Sequence, residues 1–297
     1  MPERRYDLLA VDLDGTLIDH TGRVSDVDLA ALREARAAGM VVTICTGRAL
    51  IECREVIQRL EQTDPVIVSG GSLVACPGTE RTLERFAMPP VLVARVSAYL
   101  HEREHPAVVL KDSDATGYDY LAVSPRGPGA LDAASRWWFE NMRARVRHVP
   151  SIDHDEHPED TIRIGAYAAN RPINDLVEDV QHAFAGEVVV QHFNGVQLPD
   201  ERNEHGITSV HIAELFHPHA CKGQALARLA ARLGVPIART AAIGDQTNDL
   251  SMITGAGLGI AMGNANDTIK AAAKRHTHAV TRGGVAHAVR QILDGAW

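Results

Sequence analysis

The chain has 297 residues, 45% of them hydrophobic, so it can bury a sizeable core in one large or two ordinary domains. Its 38 acidic residues outnumber its 30 lysines and arginines, and the net charge of -8 disfavours nucleic acid as a partner. No apolar stretch approaches the roughly 20 residues that a membrane helix needs, and the first residues resemble a strand rather than a signal peptide, so we expect a cytoplasmic protein that does not bind membranes.

Short apolar runs alternate with helical patterns near both ends of the chain. The runs do not alternate apolar with polar residues, so they predict strands covered on both faces. They are residues 8–11, 41–45, 66–69 and 240–244. One predicted helix begins at the capping pair Ser25 and Asp28 and stops at Gly39, and another spans residues 49–62. This order predicts an α/β fold with a Rossmann-like parallel sheet flanked by helices.

The middle of the chain has a different pattern, typical of an α+β domain. Residues 108–111 and 118–123 flank a turn and predict a hairpin. Further elements are predicted at 131–145 (helix), 161–168 (strand), 173–184 (helix), 187–193 (strand) and 209–215 (strand), with a turn at Asn194-Gly195. The parallel-sheet pattern stops near Arg85 and resumes near Lys222. We therefore predict an inserted α+β cap domain at 87–214 and a core domain made of 1–86 and 215–297.

Polar or glycine-rich groups follow each predicted core strand. They are Asp12-Leu13-Asp14, Thr46-Gly47-Arg48, Ser69-Gly70-Gly71 and Gly244-Asp245. Ligands of open α/β sheets collect at the carboxyl ends of the strands, so these groups are expected to meet in one crevice. With Asp249 the crevice holds four carboxylates, and two unit charges about 4 Å apart repel by about 4 kcal/mol at an effective dielectric constant near 20. Oxygen ligands of this kind favour Mg²⁺, which commonly bridges carboxylates to a phosphate.

These residues suit a phosphoryl transfer in two steps. Asp12 is the predicted nucleophile, because a carboxylate can attack phosphorus and form an aspartyl phosphate. Asp14, two residues further on an extended strand, faces the same side and is predicted to protonate the leaving oxygen and then to activate water. Thr46 and Lys222 are predicted to bind the phosphoryl oxygens. The backbone amides near Gly47, which we expect to open a helix, supply further donors.

The same groups, in chain order, resemble the four motifs of the haloacid dehalogenase superfamily. The matching stretches are Asp12-Leu13-Asp14-Gly15-Thr16, Thr46-Gly47-Arg48, Lys222-Gly223 and Gly244-Asp245-Gln246-Thr247-Asn248-Asp249. The stretches GLGIAMGNAN, at 257–266, and TRGGVAHAV, at 281–289, resemble the Cof-type branch of its phosphatases. Many relatives carry Asn-Gly where this chain has Ser69-Gly70-Gly71.

The resemblance implies a Mg²⁺-dependent phosphatase that works through an aspartyl phosphate, with a large α/β cap closing over the site. It implies that the metal is held by the side chains of Asp12 and Asp245 and by the backbone carbonyl of Asp14. Asp249 is expected to be a further ligand or to hold Lys222. The residues expected to contact the substrate phosphate are Gly47, Arg48 and Asn248.

Three functions remain open from the sequence. The leading hypothesis is hydrolysis of a small soluble phosphomonoester, such as a sugar phosphate, with the cap setting specificity. The alternatives are a phosphomutase, which uses the same two aspartates, and a phospho-ligand sensor without catalysis, against which the acid at Asp14 argues. In the cap, residues 154–157 could bind a metal, but a solvated connecting loop is favoured, and Trp138 is expected in the core.

Overall fold

The computed structural model describes residues 5–169, 173–195 and 210–297. The chain divides into two compact units, which we call unit 1 (residues up to Glu84 together with Ala220–Trp297) and unit 2 (Arg85–His219). The predicted domain boundary between residues 214 and 215 falls inside the strand Val210–Phe216, all of which belongs to unit 2. The other predicted boundary, between 86 and 87, lies two residues beyond Glu84.

Strands and helices alternate along the described residues. The strands are β1 (Leu8–Val11), β2 (Val41–Ile44), β3 (Val66–Val68), β4 (Leu73–Ala75), β5 (Thr82–Arg85), β6 (Ala107–Lys111), β7 (Tyr120–Val123), β8 (Val146–Val149), β9 (Thr161–Ala169), β10 (Val189–Asn194), β11 (Val210–Phe216), β12 (Thr240–Gly244), β13 (Leu258–Ala261) and β14 (Arg275–His276). The helices are α1 (Asp26–Ala37), α2 (Arg54–Arg59), α3 (Pro90–Glu102), α4 (Ser113–Thr116), α5 (Ala133–Asn141), α6 (Asn174–Ala183), α7 (Lys222–Arg232), α8 (Leu250–Gly255), α9 (Asp267–Ala272) and α10 (Gly284–Leu293).

Unit 1 is built on a parallel sheet with the strand order β14-β13-β12-β1-β2. The central strand β1 is buried along its whole length, and its last residue, Val11, pairs with Ile44 on one side and Ile243 on the other. A parallel bridge between Cys45 and Ile67 connects the end of β2 to β3, which belongs to a small three-stranded sheet. The predicted α/β class with a Rossmann-like parallel sheet is confirmed, since each of the four predicted core strands is present.

The helix after β1 begins and ends where the sequence predicts. The Ser25 hydroxyl accepts a hydrogen bond from the Asp28 amide, and Gly39 has a φ of 84°, the left-handed conformation that ends helices. The helix predicted at 49–62 is shorter, a 3-10 turn at Ile51–Cys53 followed by α2, and Gly47 does not open it. The Thr46 and Arg48 carbonyl oxygens accept hydrogen bonds from the backbone amides of residues 70 and 69, respectively. They are therefore not available to accept the amides of a helix that begins at Gly47.

Unit 2 contains a six-stranded sheet in the order β10-β11-β9-β6-β7-β8, with β7 and β8 parallel and the other pairs antiparallel. The predicted hairpin is confirmed as β6 and β7. The helix predicted at 131–145 is the shorter α5, capped by Asp132. Strand β10 continues through Asn194, so the chain does not turn at that residue, and Ser209, predicted to begin the last strand, lies outside the described residues. The inserted α+β architecture is therefore confirmed.

The two faces of this sheet are covered by different kinds of side chain. One face packs apolar residues of α3 and α6, such as Val96 and Val180, against strand residues such as Ile164. The other face carries a buried ion pair between Arg163 and Glu214, with 2.8 Å between Nη2 and Oε1. Apolar side chains thus pack on one face, and the other face contains a buried pair of opposite charges.

Two expectations about unit 2 need correction. Trp138 is half-buried rather than in the core, lying 5.8 Å from Tyr167 between ring centroids, while Phe139 beside it is buried. The loop at 154–157 is not simply solvated, because Asp155 is buried against the Lys111 ammonium group. The same ammonium donates to the His157 carbonyl, at 2.9 Å. A buried lysine needs such partners, so it fixes the loop.

Candidate active site

A buried lysine joins two aspartates at the carboxyl edge of the parallel sheet. Lys222 Nζ lies 2.6 Å from Asp12 Oδ1 and 2.6 Å from Asp249 Oδ1, and the three side chains are nearly inaccessible to solvent. Asp12 directly follows β1, and Lys222 is the first residue of α7. A Cβ atom at Gly71 would lie 2.4 Å from the Cys221 carbonyl carbon, so only glycine lets the chain after β3 approach this helix start. The structure therefore brings three predicted site residues together.

Asp245 lies beside this triad, and its carboxylate is held by neighbouring polar groups. The Thr16 hydroxyl donates to Oδ1 at 3.0 Å, and the side-chain amides of Gln246 and Asn264 each lie 3.3 Å from Oδ2. Gly15 has a φ of 84°, and a Cβ atom there would lie 2.4 Å from Asp245 Oδ2. Glycine at this position is therefore required by both the backbone conformation and the close packing.

Asp249 has both carboxylate oxygens engaged by the protein. Oδ1 accepts from Lys222, and Oδ2 accepts the backbone amides of Asp245 at 2.9 Å and Gln246 at 3.0 Å. These bonds fix the loop that carries Asp245. They agree with the expectation that Asp249 holds Lys222.

Asp14 is separated from the other carboxylates. Its side chain is 54% exposed and forms a two-pronged ion pair with Arg48, with Nε to Oδ2 at 2.9 Å and Nη2 to Oδ1 at 2.5 Å. Strand β1 ends at Val11, so Asp14 lies in the following turn and the strand alternation does not place it beside Asp12. The expected cluster of four carboxylates is thus one of three, and the structure places Arg48 on Asp14.

The remaining predicted residues lie around the same edge. The Thr46 hydroxyl is fully buried and accepts the Arg48 amide at 3.1 Å. Gly47 is half-buried, and Asn248 is exposed within a 3-10 turn, Thr247–Asp249. Thr46 therefore shapes the loop after β2.

The electrostatics of the cluster are unbalanced toward negative charge. Burial raises the pKa of Asp12, with Asp249 and Asp245 adding to the rise and Lys222 opposing it. Burial also raises the pKa of Asp245 to about 6. Burial would lower the pKa of Lys222, but its two aspartate neighbours raise it overall. Three carboxylates surround one ammonium, so a further positive charge would stabilise the ionised forms.

A hard metal cation fits this donor set. One carboxylate oxygen from each of Asp12, Asp245 and Asp249 can be chosen so that all three lie within 4.8 Å of one another. Carboxylate oxygens are the ligands that Mg²⁺ and Ca²⁺ prefer. Asp249 accepts the Lys222 ammonium and two backbone amides, whereas the donors to Asp245 at 3.0 to 3.3 Å are neutral groups, so the charge of Asp245 is the less compensated of the two.

Sequence reasoning missed two side chains that contact Asp245 from distant positions in the sequence, in addition to its neighbour Gln246. Thr16 belongs to the first motif and Asn264 to the stretch GLGIAMGNAN, but neither was assigned a role. Their position in these motifs was the available signal. Their contacts, across 229 and 19 residues of sequence, are visible only in the fold.

Comparison with known proteins agrees with this fold and site. A family model for haloacid dehalogenase-like hydrolases matches residues 9–289. The chain therefore belongs to the haloacid dehalogenase-like hydrolase family, and the predicted membership of its Cof-type branch is confirmed. The prediction of a hydrolase enzyme is confirmed with it.

The most similar proteins cover the chain almost completely. It is 29% identical to Phosphatase YwpJ of Bacillus subtilis, over 96% of this chain and 99% of that protein. It is 27% identical to 5-amino-6-(5-phospho-D-ribitylamino)uracil phosphatase YwtE of the same organism, over 97% and 99%. A haloacid dehalogenase-like hydrolase structure from Bacteroides thetaiotaomicron shares the fold with a TM-score of 0.75 at 20% identity, covering 97% of this chain and 99% of that one. Within the described residues, no helix combines the length and apolar character needed to cross a membrane.

Proposed function

We propose that the protein is a Mg²⁺-dependent phosphatase that hydrolyses a small soluble phosphomonoester through an aspartyl phosphate on Asp12. The observation that carries this proposal is the buried group of Asp12, Lys222 and Asp249 with Asp245 beside it, at the carboxyl edge of the parallel sheet. The relatives named as phosphatases support hydrolysis over the phosphomutase and sensor alternatives. We propose residues 85–219 as the cap that sets specificity.

In the first step, Asp12 attacks the phosphorus atom. Lys222 holds Oδ1 of Asp12, so the attack falls to Oδ2. As the new oxygen–phosphorus bond forms, the bond from phosphorus to the leaving oxygen breaks, and protonated Asp14 gives its proton to that oxygen. Because Arg48 grips both oxygens of Asp14 in the present structure, this ion pair opens when Asp14 carries the proton.

In the second step, the aspartyl phosphate is hydrolysed. Asp14, now ionised, takes a proton from water while the water oxygen attacks phosphorus and the bond to Asp12 breaks. Phosphate leaves, the Asp12 carboxylate is restored, and Asp14 is protonated again for the next cycle. Arg48 steers Asp14 between these two states.

The phosphoryl oxygens require positive charge in both steps. The ammonium group of Lys222 lies beside Asp12 and is available to them. Asp12, Asp245 and the Asp14 carbonyl would hold Mg²⁺, which would supply further positive charge to the phosphoryl group. Gly47 and Asn248 are proposed as additional phosphate contacts.

The substrate class follows from the relatives. A protein named for a phosphorylated ribitylaminouracil suggests that this chain acts on a phosphorylated metabolite of similar size. Sugar phosphates and phosphorylated heterocycles are therefore the first compounds to examine.

The test measures phosphate release from p-nitrophenyl phosphate and from a panel of phosphorylated metabolites, with Mg²⁺ and with EDTA. Asp12→Asn is expected to lower kcat at least about 10³-fold, because removing a covalent nucleophile costs several orders of magnitude. The matched control is Asp19→Asn, which changes an aspartate that accepts the amides of Thr21 and Arg23 in an exposed turn and is expected to leave kcat unchanged.

Borohydride reduction then identifies the intermediate, since it converts an aspartyl phosphate to homoserine that mass spectrometry can locate. Labelling at Asp12 supports the proposal. Full activity of Asp12→Asn, or activity unaffected by EDTA, contradicts it. An isomeric phosphate ester without release of free phosphate would favour the phosphomutase.

A further inference from the structure

Asn264 connects three separate segments of unit 1. It follows β13, the neighbour of β12 in the parallel sheet, and Asp245 follows β12 directly. Gly244 pairs with Ala261 in this register. Asn264 is thus placed at the carboxyl edge of the sheet, one strand away from the candidate active site.

The Asn264 side chain uses both ends of its amide. Its Nδ2 group lies 2.8 Å from the Gly15 carbonyl oxygen and 3.3 Å from Asp245 Oδ2, and its Oδ1 accepts the Val280 amide at 2.8 Å. The residue is exposed, so no burial penalty demands these bonds. Because burial does not require these three hydrogen bonds, we interpret them as positioning the groups that Asn264 contacts.

The backbone around Asn264 is shaped for this arrangement. A Cβ atom at Gly263 would lie 2.6 Å from the Ala279 amide nitrogen, so glycine is needed for the close approach of the segment that carries Val280. The Gly263 amide also donates to the His278 carbonyl at 3.0 Å. The segment at 278–280 therefore packs against Gly263 and fixes the Asn264 side chain through its Oδ1 atom.

The two other bonds reach the residues that the proposed function assigns to the metal. One orients the Asp245 carboxylate. The other holds the carbonyl of Gly15, the residue directly after Asp14, and so fixes the turn that carries the Asp14 carbonyl. Gly15 and Asp245 lie close together, and the Asn264 amide joins them alongside the Thr16 hydroxyl, which donates to Asp245 Oδ1 at 3.0 Å.

We propose that Asn264 is a positioning residue for the divalent-cation site, which it serves by holding Asp245 and the Asp14-Gly15 turn at a fixed separation through one side-chain amide. This inference rests on the proposed function, because it assumes that Asp245 binds the cation. Asn264 touches none of the reacting atoms. Its loss weakens cation binding and leaves the chemistry of the loaded enzyme largely intact.

The experiment measures Mn²⁺ binding to the metal-free protein, with the electron paramagnetic resonance signal of free Mn²⁺ as the readout. Removing an outer partner of a metal ligand costs about 10- to 100-fold in affinity, so Asn264→Ala is expected to raise the Kd for Mn²⁺ by that factor. Its kcat is expected to recover at saturating Mg²⁺. Asn264→Ser, which keeps a short polar side chain, replaces the alanine variant if that variant does not fold.

Asn266→Ala is the matched control, since Asn266 is the same residue type two positions away. Its side chain caps α9 through the Ile269 amide, at 3.0 Å, and donates to the Thr247 hydroxyl at 3.2 Å and to Gln246 Oε1 at 3.5 Å, but it does not bond to the Asp245 carboxylate. The Kd of this variant is expected to stay close to that of the unchanged protein. Equal weakening of Mn²⁺ binding in both variants, or no weakening in Asn264→Ala, overturns the role assigned to Asn264 and leaves the proposed function standing. Absence of Mn²⁺ binding by the unchanged protein overturns the assignment together with the Mg²⁺ dependence of the proposed function.

Discussion

In unit 1, three buried carboxylates lie close to one buried lysine, whereas two buried ion pairs of unit 2, Arg163–Glu214 and Lys111–Asp155, each join one cation to one carboxylate. Arg163 and Glu214 lie 2.8 Å apart with 3% of each side chain exposed. Lys111 is buried against Asp155 in the same manner. The two units therefore bury ionised groups under different balances of charge.

The difference separates a structural use of buried charge from a functional one. A matched pair offsets the loss of hydration that burial imposes on each partner, and it calls for nothing more. An excess of carboxylates leaves repulsion that folding alone does not relieve, which is typical of sites that bind a cation.

The largest effect is expected from removing each buried lysine. Lys222→Met and Lys111→Met are each expected to lower the free energy of unfolding by about 3 to 5 kcal/mol, because each leaves buried carboxylate without its partner. Urea unfolding measures the loss, and hydrogen-exchange mass spectrometry assigns it to unit 1 or unit 2.

Addition of a divalent cation sharpens the contrast. MgCl₂ is expected to reduce the stability difference between Lys222→Met and the unchanged protein, because a cation can replace the lost ammonium. The difference for Lys111→Met is expected to stay the same, since that variant keeps the cation site of the unchanged protein. NaCl at the same ionic strength is the control for screening. An equal response of the two variants to MgCl₂ would show that the carboxylate excess of unit 1 has no bearing on cation binding.

A smaller effect is expected from pH, through Asp245. Its pKa is raised from 3.8 to about 6 in the folded chain, so the unfolded chain releases this proton first as the pH rises. The metal-free protein therefore loses stability between about pH 4 and 6 and carries the full penalty above pH 6. Lowering the pH from 7 to 5 is expected to relieve part of that penalty.

The difference between the unchanged protein and Asp245→Asn isolates this contribution, since other groups titrate in both. The difference is measured from melting temperatures with EDTA and with Mg²⁺. With EDTA it is expected to shrink as the pH falls, and Mg²⁺ is expected to reverse the penalty above pH 6 by favouring the ionised carboxylate. A difference that does not change with pH contradicts the raised pKa.

The sequence was sufficient for the features that depend on local pattern. Buried parallel strands are continuous apolar runs, so β1, β2, β3 and β12 were predictable within one residue at each end. The polar groups after them followed from the rule that ligands collect at the carboxyl edge of the sheet. Asp12 and Asp245 were placed together on that basis, and Lys222 was predicted separately to bind the phosphoryl oxygens beside them. The structure brings Lys222 onto Asp12 and Asp245 close to it.

Features set by long-range contacts were not predictable. The helix after Gly47 was overextended because carbonyls of its first turn bind amides that follow β3, 21 residues or more away. Asp14 was expected beside Asp12, yet its ion pair with Arg48 draws it outward. Asp155 was expected in solvent because its partner, Lys111, lies 44 residues away and no local pattern indicates the pairing. Each error concerns a side chain or carbonyl whose partner is distant in sequence.

The smallest effect is expected from helix caps, which both units use. Ser25→Ala in α1 and Asp132→Ala in α5 each remove an oxygen that accepts a backbone amide, from Asp28 and Ser135, and each is expected to cost about 1 kcal/mol. Both caps act locally and lie outside the buried charges, so neither loss is expected to respond to MgCl₂. Urea unfolding of the two variants with and without MgCl₂ checks this. If MgCl₂ restored the free energy of unfolding of a cap variant as fully as that of Lys222→Met, the cation would stabilise the protein generally. The contrast between the units would then no longer depend on their buried charges.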